Sequence, residues 1–66
     1  MGYYRINMRQ FRVEYSIKSV SSTSHCVTTL FLNGPSKSEA IDKLVQQGAI
    51  TKTQAFNCKI TNISEN

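Results

Sequence analysis

Several residue types are scarce in this chain, and each shortage closes off a class of function. There is no tryptophan, one proline, one histidine, two cysteines, three glycines and four acidic residues against eight lysines and arginines. Two cysteines, Cys26 and Cys58, fall short of the disulfide frameworks that staple small secreted domains. If the strands carrying them are not neighbours, their separation exceeds the reach of about 7 Å that a bridge tolerates, and both read as small buried hydrophobes. The glycines, Gly2, Gly34 and Gly48, stand apart, so no glycine-rich phosphate loop is present. His25 and Cys26 are adjacent, and adjacent residues of a strand point to opposite faces, the wrong geometry for a nucleophile and its base. With Cys58 they make three candidate zinc ligands, without C-x-x-C spacing and without a fourth ligand. The expectation is therefore no enzyme, no catalytic residues, no metal site and no cofactor.

Long apolar runs are missing too. No tract approaches the 18 or so residues of a membrane span. The opening MGYYRINMRQ lacks the apolar run of roughly 7 to 15 residues found in signal peptides. A cytoplasmic protein without a membrane partner is expected. At 66 residues the chain is near the lower limit at which one core holds a fold without a staple or a partner subunit.

What is present is alternation. Phe11, Val13, Tyr15 and Ile17 interleave with Arg12, Glu14, Ser16 and Lys18, the period of two of a strand with one face in a core. SVSSTS, residues 19–24, reads as a polar linker, long for a tight hairpin. A second strand is expected over roughly His25 to Leu32, rich in β-branched and apolar types. Leu30, Phe31 and Leu32 cannot all face one side of it. Asn33-Gly34-Pro35 punctuates, and Ser36 with Glu39 three residues later forms a capping-box signal for a helix. Ala40, Ile41, Leu44 and Val45 share one face of that helix, with charged residues behind. Gly48 suits a left-handed C-terminal residue, and Ile50 can pack back on the last turn. From Ala55 alternation returns, with Phe56, Cys58 and Ile60 on one side, and a third strand is expected to about Ile63, where the phase breaks at a bulge or strand end.

The expected fold is α+β: strand, strand, helix, strand over residues 11–64, a three-stranded antiparallel sheet in the order 2-1-3 with one helix on one face. Residues 1–10 form an extension or a short extra strand, since Tyr4, Ile6 and Met8 alternate out of phase with Phe11 to Ile17. The sheet's second face stays open, with strands two and three as its edges.

Two uses of that surface follow. Net charge is +4, and Arg5, Arg9, Arg12, Lys18 and Lys59 provide a basic platform for nucleic acid, with Tyr3 or Tyr4 as stacking surfaces. Apolar residues left after the core is assigned, Tyr3, Tyr4, Phe31 and Ile63, suit a protein partner or a homodimer. Protein contact is the first expectation and nucleic-acid binding the second.

The runs FRVEYSIKSV, CVTTLFLNGPSKSEAIDKLVQQG and FNCKITNIS, spanning residues 11–64, resemble small phage and prophage accessory proteins of β-β-α-β layout, a layout also seen in some anti-CRISPR proteins. The resemblance implies a non-enzymatic protein that binds a host or phage protein, in some cases to inhibit a host system. It assigns no site residue.

Overall fold

The chain is described over residues 8–66 from a computed structural model. Tyr3, Tyr4, Arg5 and the proposed extra strand before Met8 lie outside the described residues. Three strands, β1 (Arg9–Lys18), β2 (Thr23–Leu32) and β3 (Cys58–Glu65), form one antiparallel sheet in the order β2-β1-β3. Helix α1 (Lys37–Gln46) and a single turn, α2 (Lys52–Ala55), connect β2 to β3. This is the expected small α+β fold, with one addition and several shifted boundaries.

The pleat of β1 decides which side is the core. Phe11, Val13 and Tyr15 are buried, and across the strand pair they meet Leu30, Thr28 and Cys26 of β2. On the other side Val13 meets Ile63, Tyr15 meets Ile60 and Ile17 meets Cys58 of β3. Those pairings need a correction of phase, because Ile60 and Ile63 are three residues apart. A register shift between Glu14 and Tyr15 provides it. Thr61 is the extra residue of a β-bulge, and its hydroxyl donates to the Glu14 carbonyl at 3.1 Å. The bulge turns Ile63 back toward the helix, where it packs half-buried against the core. Ile63 therefore does not share a surface with Phe31.

Helix α1 begins at Ser36, whose hydroxyl accepts from the Glu39 amide at 3.3 Å. Only this half of the expected capping box forms. The Ser36 amide donates to the Gly34 carbonyl instead, and the Glu39 carboxylate accepts from the Asn33 backbone amide and from its side-chain Nδ2, each at 3.0 Å. A carboxylate in the first helical turn thus clamps the end of β2 to the start of α1, in line with the helix dipole. Ala40 and Leu44 are fully buried on the sheet, with Ile41 and Val45 packed beside them. The helix ends in a Schellman motif: Gly48, at φ 77, donates to the Val45 carbonyl at 3.0 Å and Ala49 to the Leu44 carbonyl at 2.9 Å. The chain then drops Ile50 into the core.

Three strand starts and one added turn differ from the sequence reading. Arg9 and Gln10 continue β1, pairing with Leu32 and Phe31, so no break falls there. Lys18 pairs with Thr23, which shortens the polar linker to four residues closed by the Ser19 amide on the Ser22 carbonyl at 2.8 Å. Lys52–Ala55 form α2, held by a complete capping box at the N-cap Thr51: Thr51 Oγ1 accepts from the Gln54 amide, and Gln54 Oε1 from the Thr51 amide. Phe56 caps that turn and is 88% exposed. It is therefore neither a strand residue nor part of the core, and β3 begins only at Cys58.

A core of nine buried hydrophobic residues among those described leaves little redundancy, since a chain of this size has a total stability of only about 3 to 10 kcal/mol. Leu44→Ala is expected to cost about 2–5 kcal/mol and to leave much of the population unfolded in a urea titration. Val20→Ala, in the fully exposed hairpin loop, is expected to leave the midpoint unchanged.

Candidate interaction surface

The open face is laid out by register. From β1 come Gln10, Arg12, Glu14, Ser16 and Lys18, and from β2, directly opposite, Phe31, Thr29, Val27, His25 and Thr23. From β3 come Ser64, Asn62 and Lys59, opposite Arg12, Glu14 and Ser16. The face is polar in its centre, with its exposed large hydrophobic residues on the β2 side.

The predicted cations separate into two groups. Arg12 forms a short ion pair with Glu14, and Glu14 also accepts from Asn62 Nδ2 at 3.4 Å. Arg9 belongs to the other face: it lies 5.5 Å from the Phe11 ring centre, pairs with Glu65 at 3.4 Å and donates to the Asn33 carbonyl at 3.2 Å. Both arginines are thereby partly spent on the protein's own acceptors. Lys18 and Lys59 pair with no acidic side chain among the described residues. They flank Ser16, with His25 on its far side. The two free lysines thus stand at one end of the face, near the hairpin.

The edge of β2 is different in kind. Its ten residues, TSHCVTTLFL, include no charged residue and no proline. Its register with β1 is unbroken from Arg9 to Lys18. Natural edge strands are usually guarded by inward charges, proline or a bulge, because their free N–H and C=O groups template pairing with another chain. The β3 edge has such guards: the bulge at Thr61, and Lys59 and Glu65 along its length. β2 has none, and beside its open backbone Phe31 is 58% and Val27 55% exposed. The pleat answers the question left by Leu30-Phe31-Leu32: both leucines are buried and the phenylalanine faces outward. Val27 was not singled out from sequence, although its odd-numbered phase with Phe31 carried the signal.

An apolar hollow lies between the helices, where half-buried Ile41, Val45 and Ala55 meet the exposed Phe56 ring. The missed signal for this corner is Thr51-x-x-Gln54, a capping box as clear as the one at Ser36.

His25 and Cys26 lie on opposite faces, as adjacent strand residues must. Cys26 and Cys58 are both free and both on the helix side, on the strands flanking β1. Among the described residues no three His, Cys, Asp or Glu side chains are grouped to hold a metal ion, and no helix is long and apolar enough to cross a membrane. No protein-family model matches the chain, and searches of curated proteins and of solved structures give no significant match.

Burial raises the Tyr15 phenol above its ordinary range, and the neighbouring Cys26 thiol adds to the effect, with Cys58 contributing least. Burial, then Cys26, likewise raises the Cys58 thiol. Each folded value lies above the unfolded one, so the fold favours the protonated forms. Their contribution to stability is complete below the ordinary ranges of about 8.5 for a thiol and 10 for a phenol, and is lost as pH rises beyond them. Denaturation midpoints are therefore expected to fall as pH is raised from about 8 to about 10.5, and Tyr15→Phe is expected to flatten the upper part of that fall.

Proposed function

We propose that this protein is a small non-enzymatic binding module that works by protein contact at the outer edge of β2, where an extended segment of a protein partner adds as a further strand. The observation that carries this reading is the ten-residue edge of β2, without charge, proline or bulge, bearing exposed Phe31 and Val27. In strand addition the backbone supplies affinity and alternate side chains supply selectivity. Phe31 and Val27, on the same face, are the selectivity contacts. The resemblance of residues 11–64 to phage and prophage accessory proteins that act by binding supports the same reading and suggests a host or phage protein as the partner.

Lys18 and Lys59, free of acidic partners around Ser16, favour nucleic acid as the second reading. It is the weaker one because Arg9 and Arg12, half of the four predicted cations among the described residues, already hold Glu65 and Glu14.

Capture from bacterial lysate, with and without nuclease, separates the two when run on the wild type, on Phe31→Lys and on the pair Lys18→Glu with Lys59→Glu. A nuclease-resistant protein is expected on the wild type and on the double lysine variant, with recovery falling at least tenfold on Phe31→Lys, the size of a hot-spot loss. Partners that vanish with nuclease, or with the lysine substitutions while Phe31→Lys retains them, would contradict protein contact at this edge.

A further inference from the structure

We infer that in the isolated protein the β2 edge is occupied by a second copy of this chain, paired antiparallel about a two-fold axis at Thr29, which a partner strand must displace. The inference rests on the strand-edge reading above and adds the identity of the strand. In this register Thr29 faces its own copy, and Val27 of each chain faces Phe31 of the other. On the helix side Cys26 faces Leu32 and Thr28 faces Leu30, each pair occurring twice.

Three observations favour a second copy over a foreign strand. The first is the pattern of β2 itself. Read in either direction from Thr29, its open face runs apolar at the second residue, so a two-fold copy sets the branched Val27 beside the Phe31 ring, a favourable cross-strand pairing, and a threonine beside a threonine. The exposed apolar surface of both residues is covered by the same operation. An isologous contact of this kind closes after two subunits and leaves no further edge of the same type.

The second is charge. A chain of net charge +4 repels its own copy. β2 carries none of the eight lysines and arginines and none of the four acids. Its edge therefore brings two copies together without setting like charges opposite one another. Pairing at β3 would instead bring in Lys59 and Glu65 and a backbone broken at Thr61.

The third is size. Domains near this length often complete their stability by association. Pairing at β2 would double the sheet to six strands, turn Cys26–Leu32 of β2 from an edge into interior strand, and cover the partly buried Cys26 and the exposed Val27.

The test uses the full chain. Sedimentation velocity over a dilution series is expected to show a reversible monomer–dimer equilibrium for the wild type. Thr29→Lys, which sets two ammonium groups directly opposite on the axis, is expected to weaken it at least tenfold. The residue is exposed, so the fold should survive, as a circular dichroism spectrum and urea midpoint like the wild type's would show. In parallel, Thr29→Cys is treated with a short thiol cross-linker beside the wild type and a Ser64→Cys control on β3. Covalent dimer is expected from Thr29→Cys in excess over both. A wild type that stays monomeric at every concentration, or cross-linking at Ser64→Cys equal to that at Thr29→Cys, would overturn the second copy as occupant. If that monomer still captures a protein that Phe31→Lys loses, the strand-edge reading stands without it. If it captures none, both fall.

Discussion

The stripe of Phe11, Val13 and Tyr15 can face α1 only because β1 is held by hydrogen bonds on both sides, and the other elements take their places from that stripe. Leu30 and Leu32 are buried because they fall on the same side of the pleat as Phe11. Ile60 and Ile63 reach that side because one extra residue is let out at Thr61. Helix α1 then covers the stripe with Ala40 and Leu44, and its position is fixed at both ends: by the Glu39 carboxylate on Asn33 and by the left-handed Gly48 that returns Ile50 to the core. In so small a core each of these placements depends on the others, which makes the β1 register the constraint that all the packing shares.

The same constraint divides the sheet's two edges. To keep two isoleucines inward, β3 takes a bulge, and a bulged strand with charged residues makes a poor template. β2 meets its needs with simple alternation and stays regular along its whole length. The regularity that lets Leu30 and Leu32 pack inward also aligns Val27, Thr29 and Phe31 outward. The regular, exposed edge at β2 is thus a by-product of how the core is built, and no charge on the strand guards it.

Much of this was legible in the chain. Period-two alternation over Phe11 to Ile17 marked β1 as central, and the apolar spacing of Ala40, Ile41, Leu44 and Val45 marked the helix and its face. The misplaced start of β3 has a plain cause: Phe56, Cys58 and Ile60 alternate correctly by count, but Phe56 belongs to the cap of α2, and a period of two cannot be assigned from three residues across a helix end. The break at Ile63 was visible, but only the pairing of Asn62 with Glu14 shows that it turns the side chain inward. On the open face, Phe31 could be named from sequence as a residue in excess, and Arg12 beside Glu14 at two residues' spacing was readable as a same-face pair. The pairing of Arg9 with Glu65 joins the first and last strands, and no local pattern reports a contact that far apart in the chain.

The most direct measurement is backbone amide hydrogen exchange, resolved by residue and repeated across protein concentration. A second copy at the β2 edge predicts that alternate amides between Cys26 and Leu32, those pointing away from β1, exchange freely in dilute solution and gain protection as concentration rises, while the outer amides of β3 do not change. Protection that appears on β3, or outer amides of β2 that stay unprotected at every concentration, would contradict it.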